Sequence, residues 1–187
     1  MAQKRKDWNG LISGFKASDL VFLDESGCNT DMTRRYAYSL GGSRTVDSAP
    51  LSKPKNTTIL SSIQLDGTLR YTTFSGGTTV ERFKRYLETD LLPHLNGNSV
   101  LIMDNMKSHH AKAVRNLLDS SGVRYIYLPP YSPDLNPIEK LWSKVKAFLR
   151  KFKARTLDAL PNAIQCAFQT VSPSDCSGWF KFCDYLH

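Results

Sequence analysis

Two short apolar runs in this chain each end in an aspartate. Leu20 to Leu23 is followed by Asp24, and Val100 to Met103 is followed by Asp104. Runs of bulky apolar residues are typical of strands that are buried on both faces, as in parallel sheets covered by helices. An acid directly after such a strand lies at its carboxyl end, where open α/β sheets bind their ligands. The sequence therefore predicts an α/β domain with two carboxylates at one edge of its sheet.

Further strands are predicted between these two runs. Residues 35–40, which precede two glycines, are expected to pair antiparallel with the first run. Residues 57–65 and 68–74 flank Asp66-Gly67, a dipeptide that supplies positive φ in a tight hairpin turn. This stretch therefore predicts a β-hairpin.

Helical periodicity replaces strand periodicity after the hairpin. Apolar residues from Val80 to Leu91 recur on one face of a helix that should end by Pro93. A second helix over residues 111–118 separates the Val100 run from a strand over residues 123–128. This β-α-β order implies that the last two strands are parallel.

A third carboxylate, Glu139, follows a loop with four prolines in the nine residues 129–137. Proline fixes φ, so the loop should be stiff. Asn136 is a favourable N-cap and Pro137 a favourable first helical residue, so a helix should begin here. Its apolar stripe is Ile138, Leu141, Trp142, Val145, Phe148, Leu149 and Phe152. Glu139 lies at the edge of that stripe, from where it can reach the strand ends.

Each of these acids also has a purely structural explanation. Glu139 would suit a helix-capping role near the N-terminus, and Asp24 and Asp104 would suit the turns after their strands. Their shared position favours a cation-binding site instead, because close carboxylates repel unless a proton or a cation relieves the repulsion. Oxygen ligands suit Mg²⁺ or Mn²⁺.

Composition limits the class of protein. The 187 residues suit one domain, and 25 Lys and Arg against 17 Asp and Glu favour an anionic partner. No signal peptide and no apolar run of membrane-spanning length is present, so no membrane role and a cytosolic location are expected. The four cysteines lack C-x-x-C spacing and are expected to be reduced thiols.

Three motifs resemble the mariner-like transposase superfamily, in particular its bacterial insertion-sequence branch. They are Phe22 to Gly27, then Met103-Asp104-Asn105 with His109, and then Pro130 to Glu139 with Trp142. The spacing also agrees, because 34 residues separate Asp104 from Glu139 as in the branch whose third acid is Glu. The proline-rich motif is the most specific of the three.

The resemblance implies a ribonuclease H-like fold, that is, a mixed five-stranded sheet flanked by helices. It implies Asp24, Asp104 and Glu139 as catalytic residues that bind two Mg²⁺ ions, with Mn²⁺ able to substitute and Asp24 bridging both ions. It further implies DNA cleavage and strand transfer on transposon ends and a TA target. It also implies supporting roles around the metals for Asn105, His109 and Asn136. His110 is an alternative to His109 for this role. Met106 stands where the family usually has a small residue.

Basic residues are concentrated on and just after the helix that carries Glu139. On this helix DNA phosphates are expected to meet Lys140, Lys144, Lys146, Arg150, Lys151 and Lys153, with Arg155 beyond them. The alternative is an ordinary solvated face.

The predicted organisation is a basic, exposed lead-in over residues 1–17, a catalytic domain over 18–155 and a helical extension over 156–187. In the extension, a helix over residues 157–171 precedes an aromatic tail that should serve the core or a dimer contact. Relatives of this kind carry helix-turn-helix domains ahead of the catalytic domain. We therefore expect either a separately encoded amino-terminal part or a fragment, acting as a homodimer at the bacterial nucleoid.

The leading functional hypothesis is an active transposase catalytic domain. A second is a truncated, non-catalytic DNA-binding or dimerisation partner that regulates a full-length transposase. A third is a ribonuclease H-like nuclease that acts on RNA or branched DNA.

Overall fold

The structure is a computed structural model that describes residues 2–34, 36–48 and 54–186. Its centre is a five-stranded sheet with the order β3-β2-β1-β4-β5. The strands are β1 (Leu20–Cys28), β2 (Thr57–Gln64), β3 (Leu69–Ser75), β4 (Val100–Met103) and β5 (Arg124–Tyr127). β1 pairs parallel with β4, and β4 pairs parallel with β5, whereas β1-β2 and β2-β3 are antiparallel. The predicted mixed sheet is confirmed.

Helices cover both faces of the sheet. They are α1 (Ala2–Ile12), α2 (Val80–Tyr86), α3 (Lys112–Ser121), α4 (Ile138–Phe152), α5 (Ala159–Gln169) and α6 (Pro173–Phe182). α2 continues through a π-helical turn at Leu87–Leu91 and a 3₁₀ turn at Leu92–His94. No helix in the described part of the chain is long and apolar enough to cross a membrane.

Alternating residues of β1 divide the core into two layers. Leu20 and Phe22 pack on one side with the apolar face of α4 and with α5 and α6. Val21 and Leu23 pack on the other side with α2 and α3. A strand buried on both faces is what an uninterrupted apolar run predicts, because successive side chains point to opposite faces.

The predicted hairpin and the β-α-β crossover are both present. In the hairpin, Gly67 has a φ of 91°, a value that an amino acid with a Cβ rarely adopts. In the crossover, α3 joins β4 to β5 and ends at Gly122, whose φ is 70°. The Asp66-Gly67 signal therefore marked a real chain reversal.

The prediction of a strand over residues 35–40 is wrong. Residue 35 lies outside the described residues, and Tyr36, Tyr38 and Leu40 are at least 90% exposed. The antiparallel neighbour of β1 is β2, which has six consecutive buried residues and can therefore occupy the interior of the sheet. The alternating pattern of residues 36–40 has no buried face on which to pack.

The terminal segments are more integrated than predicted. In the expected lead-in, α1 places Trp8 in the core at 4% exposure, so full exposure of this segment is wrong. At the other end, the aromatic tail forms α6, in which Phe180 is fully buried against Phe22. The four cysteines are free, and three of them are buried.

Candidate active site

The pairing of β1 with β4 brings the two aspartates together. Leu23 lies opposite Met103 in this parallel pair, so Asp24 and Asp104 follow side by side where the pairing ends. Adjacent strands are about 4.8 Å apart. The expectation that the first strand ends at Asp24 is wrong, because β1 continues to Cys28 through its pairing with β2. Asp24 thus ends the parallel portion of the strand rather than the strand itself.

Glu139 reaches the same place from α4. Five residues of its apolar stripe are buried, whereas Phe148 is partly buried and Phe152 is 46% exposed. Glu139 lies at the edge of the stripe, in the first turn. Asp24, Asp104 and Glu139 line one cleft of about 440 Å³. The proline-rich loop forms the opposite wall of that cleft through Pro129, Pro130, Tyr131, Ser132, Pro133 and Asn136. The three predicted carboxylates therefore meet, although they come from elements far apart in the sequence.

Asp24 is the buried member of the three. Burial is the largest cause that raises the pKa of its carboxyl group, and the nearby charges of Asp104 and Glu139 add to it, so that the net pKa is about 7. Hydrogen bonds from the backbone amide of Glu25 and from the indole of Trp142 oppose this rise. The Trp142 Nε1 lies 3.0 Å from Asp24 Oδ2, and both side chains are buried. A cation or a proton is therefore needed to relieve the repulsion among the three carboxylates of this cleft.

Asp104 is held by His109. The His109 Nδ1 lies 2.8 Å from Asp104 Oδ1, and the backbone amide of Met106 donates to the same oxygen at 3.0 Å. Partial burial tends to raise the pKa of Asp104, but these hydrogen bonds outweigh it and hold the pKa below its usual range. His109 is fully buried and stacks on Phe83 at 4.2 Å between ring centroids. In this structure it orients Asp104 and is not exposed to a substrate.

Asn105 and His110 lie beside this pair and have structural contacts. The Asn105 Nδ2 donates to the backbone carbonyl of Leu128 at 2.5 Å, which ties the end of β4 to the start of the proline-rich loop. His110 is exposed and stacks on Tyr127 at 4.0 Å between centroids. Of the two adjacent histidines, only His109 contacts a carboxylate of the cleft.

Asn136 does not cap α4 with its side chain, so that part of the helix-start prediction is wrong. Pro137 occupies the N-cap position with helical φ and ψ, and no side-chain capping bond is present. The Asn136 side chain is 4% exposed, lines the cleft, and has no partner for its Oδ1. An unpaired buried acceptor costs about 1–3 kcal/mol, so this atom is suited to a ligand that the cleft would bind.

The Glu139 side chain is exposed and forms no hydrogen bond or ion pair with the described residues. The structural alternative, a carboxylate engaged in capping α4, is therefore not observed. Across the described ranges, no three His, Cys, Asp or Glu side chains are already converged into a metal site. The donor set still fits a hard divalent cation. Three carboxylates share the cleft, and that of Glu139 has no hydrogen-bond partner among the described residues. The buried Oδ1 of Asn136, which also has no partner, lies in the same cleft.

The basic residues of α4 fall into two groups. Some are engaged: Lys144 Nζ lies 2.6 Å from Asp175, Lys153 Nζ lies 2.6 Å from Asp47, and Lys140 lies 3.6 Å from the Phe182 ring centroid. Arg155 donates to backbone carbonyls of Thr30 and Met32.

The other group has no ion pair within the described part of the chain: Lys146, Arg150 and Lys151. Lys146 and Arg150 lie seven and eleven residues after Glu139, which at about 100° per residue places them on the same side of the helix. Arg150 and Lys151 also line a groove of about 790 Å³ with Arg34 and Tyr36. Lys144 lines the same groove. Lys146, Arg150 and Lys151 are therefore the predicted DNA-binding residues whose charges are unpaired within the described residues, and DNA binding by all six stays a prediction.

Comparison with known proteins agrees with this architecture. The family model described as DDE superfamily endonuclease matches residues 19–161, and this chain belongs to that family. A curated relative, the transposable element Tc1 transposase of Caenorhabditis elegans, is 29% identical over 97 residues. That match covers 50% of this chain and 36% of the relative, so the chain spans about a third of that protein.

Solved structures of Mos1 share the fold. A pre-cleavage Mos1 transpososome matches with a TM-score of 0.82 at 18% identity, over 99% of this chain and 60% of that one. A Mos1 mariner paired end complex with Mn matches with a TM-score of 0.76 at 19% identity, over 96% of this chain and 58% of that one. The Mos1 transposase catalytic domain with raltegravir and Mg matches with a TM-score of 0.72 at 18% identity, over 97% of this chain and 89% of that one. The predicted ribonuclease H-like fold is confirmed.

Two residues, one bonded to a carboxylate of the cleft and one lining it, were not assigned a role from sequence. Trp142 was named as part of the third motif and of the apolar stripe. Its hydrogen bond to Asp24 was not predicted, because the two residues are 118 positions apart in the sequence. Tyr131 was part of the proline-rich motif, but neither its positive φ nor its exposure has a local signature other than the prolines around it.

Proposed function

We propose that this chain carries the catalytic site of a metal-dependent DNA transposase of the DDE type, which cuts DNA strands and joins them to a target. The observation that carries the proposal is the meeting of Asp24, Asp104 and Glu139 in one cleft. The family match over residues 19–161 and the shared fold with the Mos1 complexes support it.

Asp24, Asp104 and Glu139 would hold two Mg²⁺ ions, and Mn²⁺ would substitute. When bound, such ions activate a water or hydroxyl nucleophile and stabilise the leaving oxygen of an in-line displacement. The Mos1 paired end complexes with Mn and with Mg support this choice of cations. The chain's own residues prepare the site: Trp142 and His109 orient the two aspartates, and the buried Oδ1 of Asn136 offers an acceptor to the hydration shell or the attacking hydroxyl.

Double-stranded DNA is the proposed partner, both as transposon ends and as a TA target. Lys146 and Arg150 extend along α4 on the side of Glu139, so a strand whose phosphate lies at the carboxylates would pass over them. A TA step is among the most easily kinked, which favours it in a site that deforms its target. The insertion-sequence branch, a homodimer and a cytosolic, nucleoid-associated location complete the proposal and rest on the motif resemblance.

A cleavage assay tests the proposal. The purified chain is incubated with Mn²⁺ and end-labelled duplex that contains TA steps, beside a Glu139→Gln variant. We expect metal-dependent nicking that Glu139→Gln abolishes. The matched control is Glu88→Gln, since Glu88 pairs with Lys84 at 3.1 Å on another helix and does not line the cleft.

Equal nicking by wild type and Glu139→Gln would contradict the assignment of the site. DNA binding without nicking, in both proteins and in either metal, would favour the non-catalytic partner instead.

A further inference from the structure

Tyr131 has an unusual backbone. It lies at the tip of the proline-rich loop with a φ of 55°, in the left-handed region. A Cβ makes this region unfavourable, and Gly or Asn usually fills a turn position of positive φ that follows a proline. Tyrosine is therefore a strained choice at this position.

No contact of the Tyr131 side chain with the described residues offsets this backbone strain. The Tyr131 side chain is 85% exposed. Within the described residues its hydroxyl has no hydrogen bond and its ring has no aromatic or cationic neighbour. Strained backbone positions cluster at sites that contact a ligand, so the conformation of Tyr131 points to a contact made in a complex.

The position of the ring indicates the partner. Tyr131 lines the same cleft as Asp24, Asp104 and Glu139. Pro130 precedes it and Pro133 follows shortly after, and both restrict the backbone. An exposed aromatic ring is thus held at the rim of the carboxylate cleft at little entropic cost on binding.

We propose that Tyr131 is a substrate-contact residue whose ring stacks on an unpaired nucleobase of the DNA strand held at the carboxylates. This inference rests on the proposed function, because it requires DNA at the cleft. In a duplex the face of each base is covered by its neighbours, so the ring can stack only on a base that has left the helical stack. Stacking on an aromatic side chain tolerates any base identity. Tyr131 would therefore favour a base that has left the stack, and pyrimidine-purine steps such as TA are easily kinked and unstacked.

The test compares two DNA probes in the presence of Ca²⁺ at fixed salt. One duplex carries a single unpaired 2-aminopurine, and the other carries the same base fully paired. We expect the wild-type chain to prefer the unpaired probe and to quench its fluorescence. Tyr131→Phe, which keeps the ring, should retain both effects. Tyr131→Asn should lose the quenching and about tenfold of the preference, which corresponds to about 1.4 kcal/mol at 25 °C.

Thermal melts separate this role from a structural one. Asn tolerates positive φ, so Tyr131→Asn should melt at or above the wild-type temperature, whereas loss of a structural side chain would lower it. If wild type and Tyr131→Asn prefer the unpaired probe equally, the stacking proposal is overturned while the proposed function stands. If the wild-type chain binds neither probe, both are overturned.

Discussion

The indole Nε1 of Trp142 donates a hydrogen bond of 3.0 Å to the Oδ2 of Asp24, and the two residues are 118 positions apart. This bond joins the helix that carries Glu139 to the strand that carries the first aspartate. An ionised carboxylate has about four acceptor positions, so the bond to Trp142 leaves Asp24 able to bind a cation. Trp142 therefore fixes the orientation of the buried Asp24 carboxylate and leaves acceptor positions on it for a metal ion.

Replacing Trp142 with Phe should weaken metal binding. The variant keeps an apolar ring in the core but removes the donor that orients Asp24, and loss of such a partner typically costs about 10–100-fold in metal affinity. Mn²⁺ titration followed by electron paramagnetic resonance measures this without any DNA. Trp179→Phe, on α6 and outside the cleft, is the matched control. Equal Mn²⁺ affinity in wild type and Trp142→Phe would show that Asp24 needs no such support.

Asp24→Asn should stabilise the metal-free chain at neutral pH. Burial first, and then the charges of Asp104 and Glu139, raise the pKa of Asp24 from 3.8 to about 7. The folded state therefore binds the proton more tightly, and metal-free stability falls as pH rises from about 4 to about 7. Three pKa units correspond to an upper limit of about 4 kcal/mol.

Urea unfolding in EDTA, at pH 4 and pH 8, checks this. The advantage of Asp24→Asn over wild type should be small at pH 4 and largest at pH 8. Mn²⁺ should then stabilise wild type by about 2.7 kcal/mol at a hundredfold excess over its dissociation constant, and the variant much less. The same Mn²⁺ shift in both proteins would argue against a shared cation site.

The unpaired cations of α4 should account for the salt dependence of DNA binding. Replacing Lys146 and Arg150 with Gln should reduce the slope of log affinity against log salt by up to about 0.9 per lost phosphate contact. Lys144→Gln is the comparison, because Lys144 already pairs with Asp175 at 2.6 Å and should change the slope little. Affinity measured at several salt concentrations decides the matter. If Lys144→Gln alters the slope as much as the double variant, the structural division of this surface is wrong.

Asp175 should stabilise the carboxyl-terminal helix at all but very acidic pH. Its hydrogen bonds with the Lys144 ammonium, and then with the backbone and hydroxyl of Ser172, lower its pKa from 3.8 to about 2. A depressed carboxyl pKa contributes stability that is present above about pH 4 and is lost as pH falls through 2. The Asp175 side chain is 27% exposed, so solvent screening still limits the contribution of the ion pair and cap to about 1 kcal/mol.

Asp175→Asn should therefore be less stable than wild type at pH 6, and the difference should disappear near pH 2. Urea unfolding across this range measures it. Lys144→Gln should remove part of the same difference. A gap between Asp175→Asn and wild type that stays constant down to pH 2 would contradict this role for the capping carboxylate.

Local sequence alone determined most of the elements and the three carboxylates. Hydrophobic alternation, the Asp66-Gly67 turn and the prolines before Glu139 act over a few residues, and each produced the predicted hairpin, crossover or helix start. The apolar runs before Asp24 and Asp104 predicted that both acids lie at one edge of the sheet, and the observed pairing of β1 with β4 places them side by side. These features are readable because backbone geometry couples only near neighbours in the chain.

Tertiary structure decided how each side chain is used. The burial of His109, the orphaned oxygen of Asn136 and the pairing of Lys144 with Asp175 all depend on residues that other elements bring into contact. The exposed path of residues 36–40 also depends on tertiary structure, since β2, with six consecutive buried residues, occupies the antiparallel position beside β1. Local periodicity carries no information about such contacts, because their energies arise only when distant segments share one packed core. The bond from Trp142 to Asp24 exists for the same reason: α4 must dock on the sheet before the indole and the carboxylate can meet.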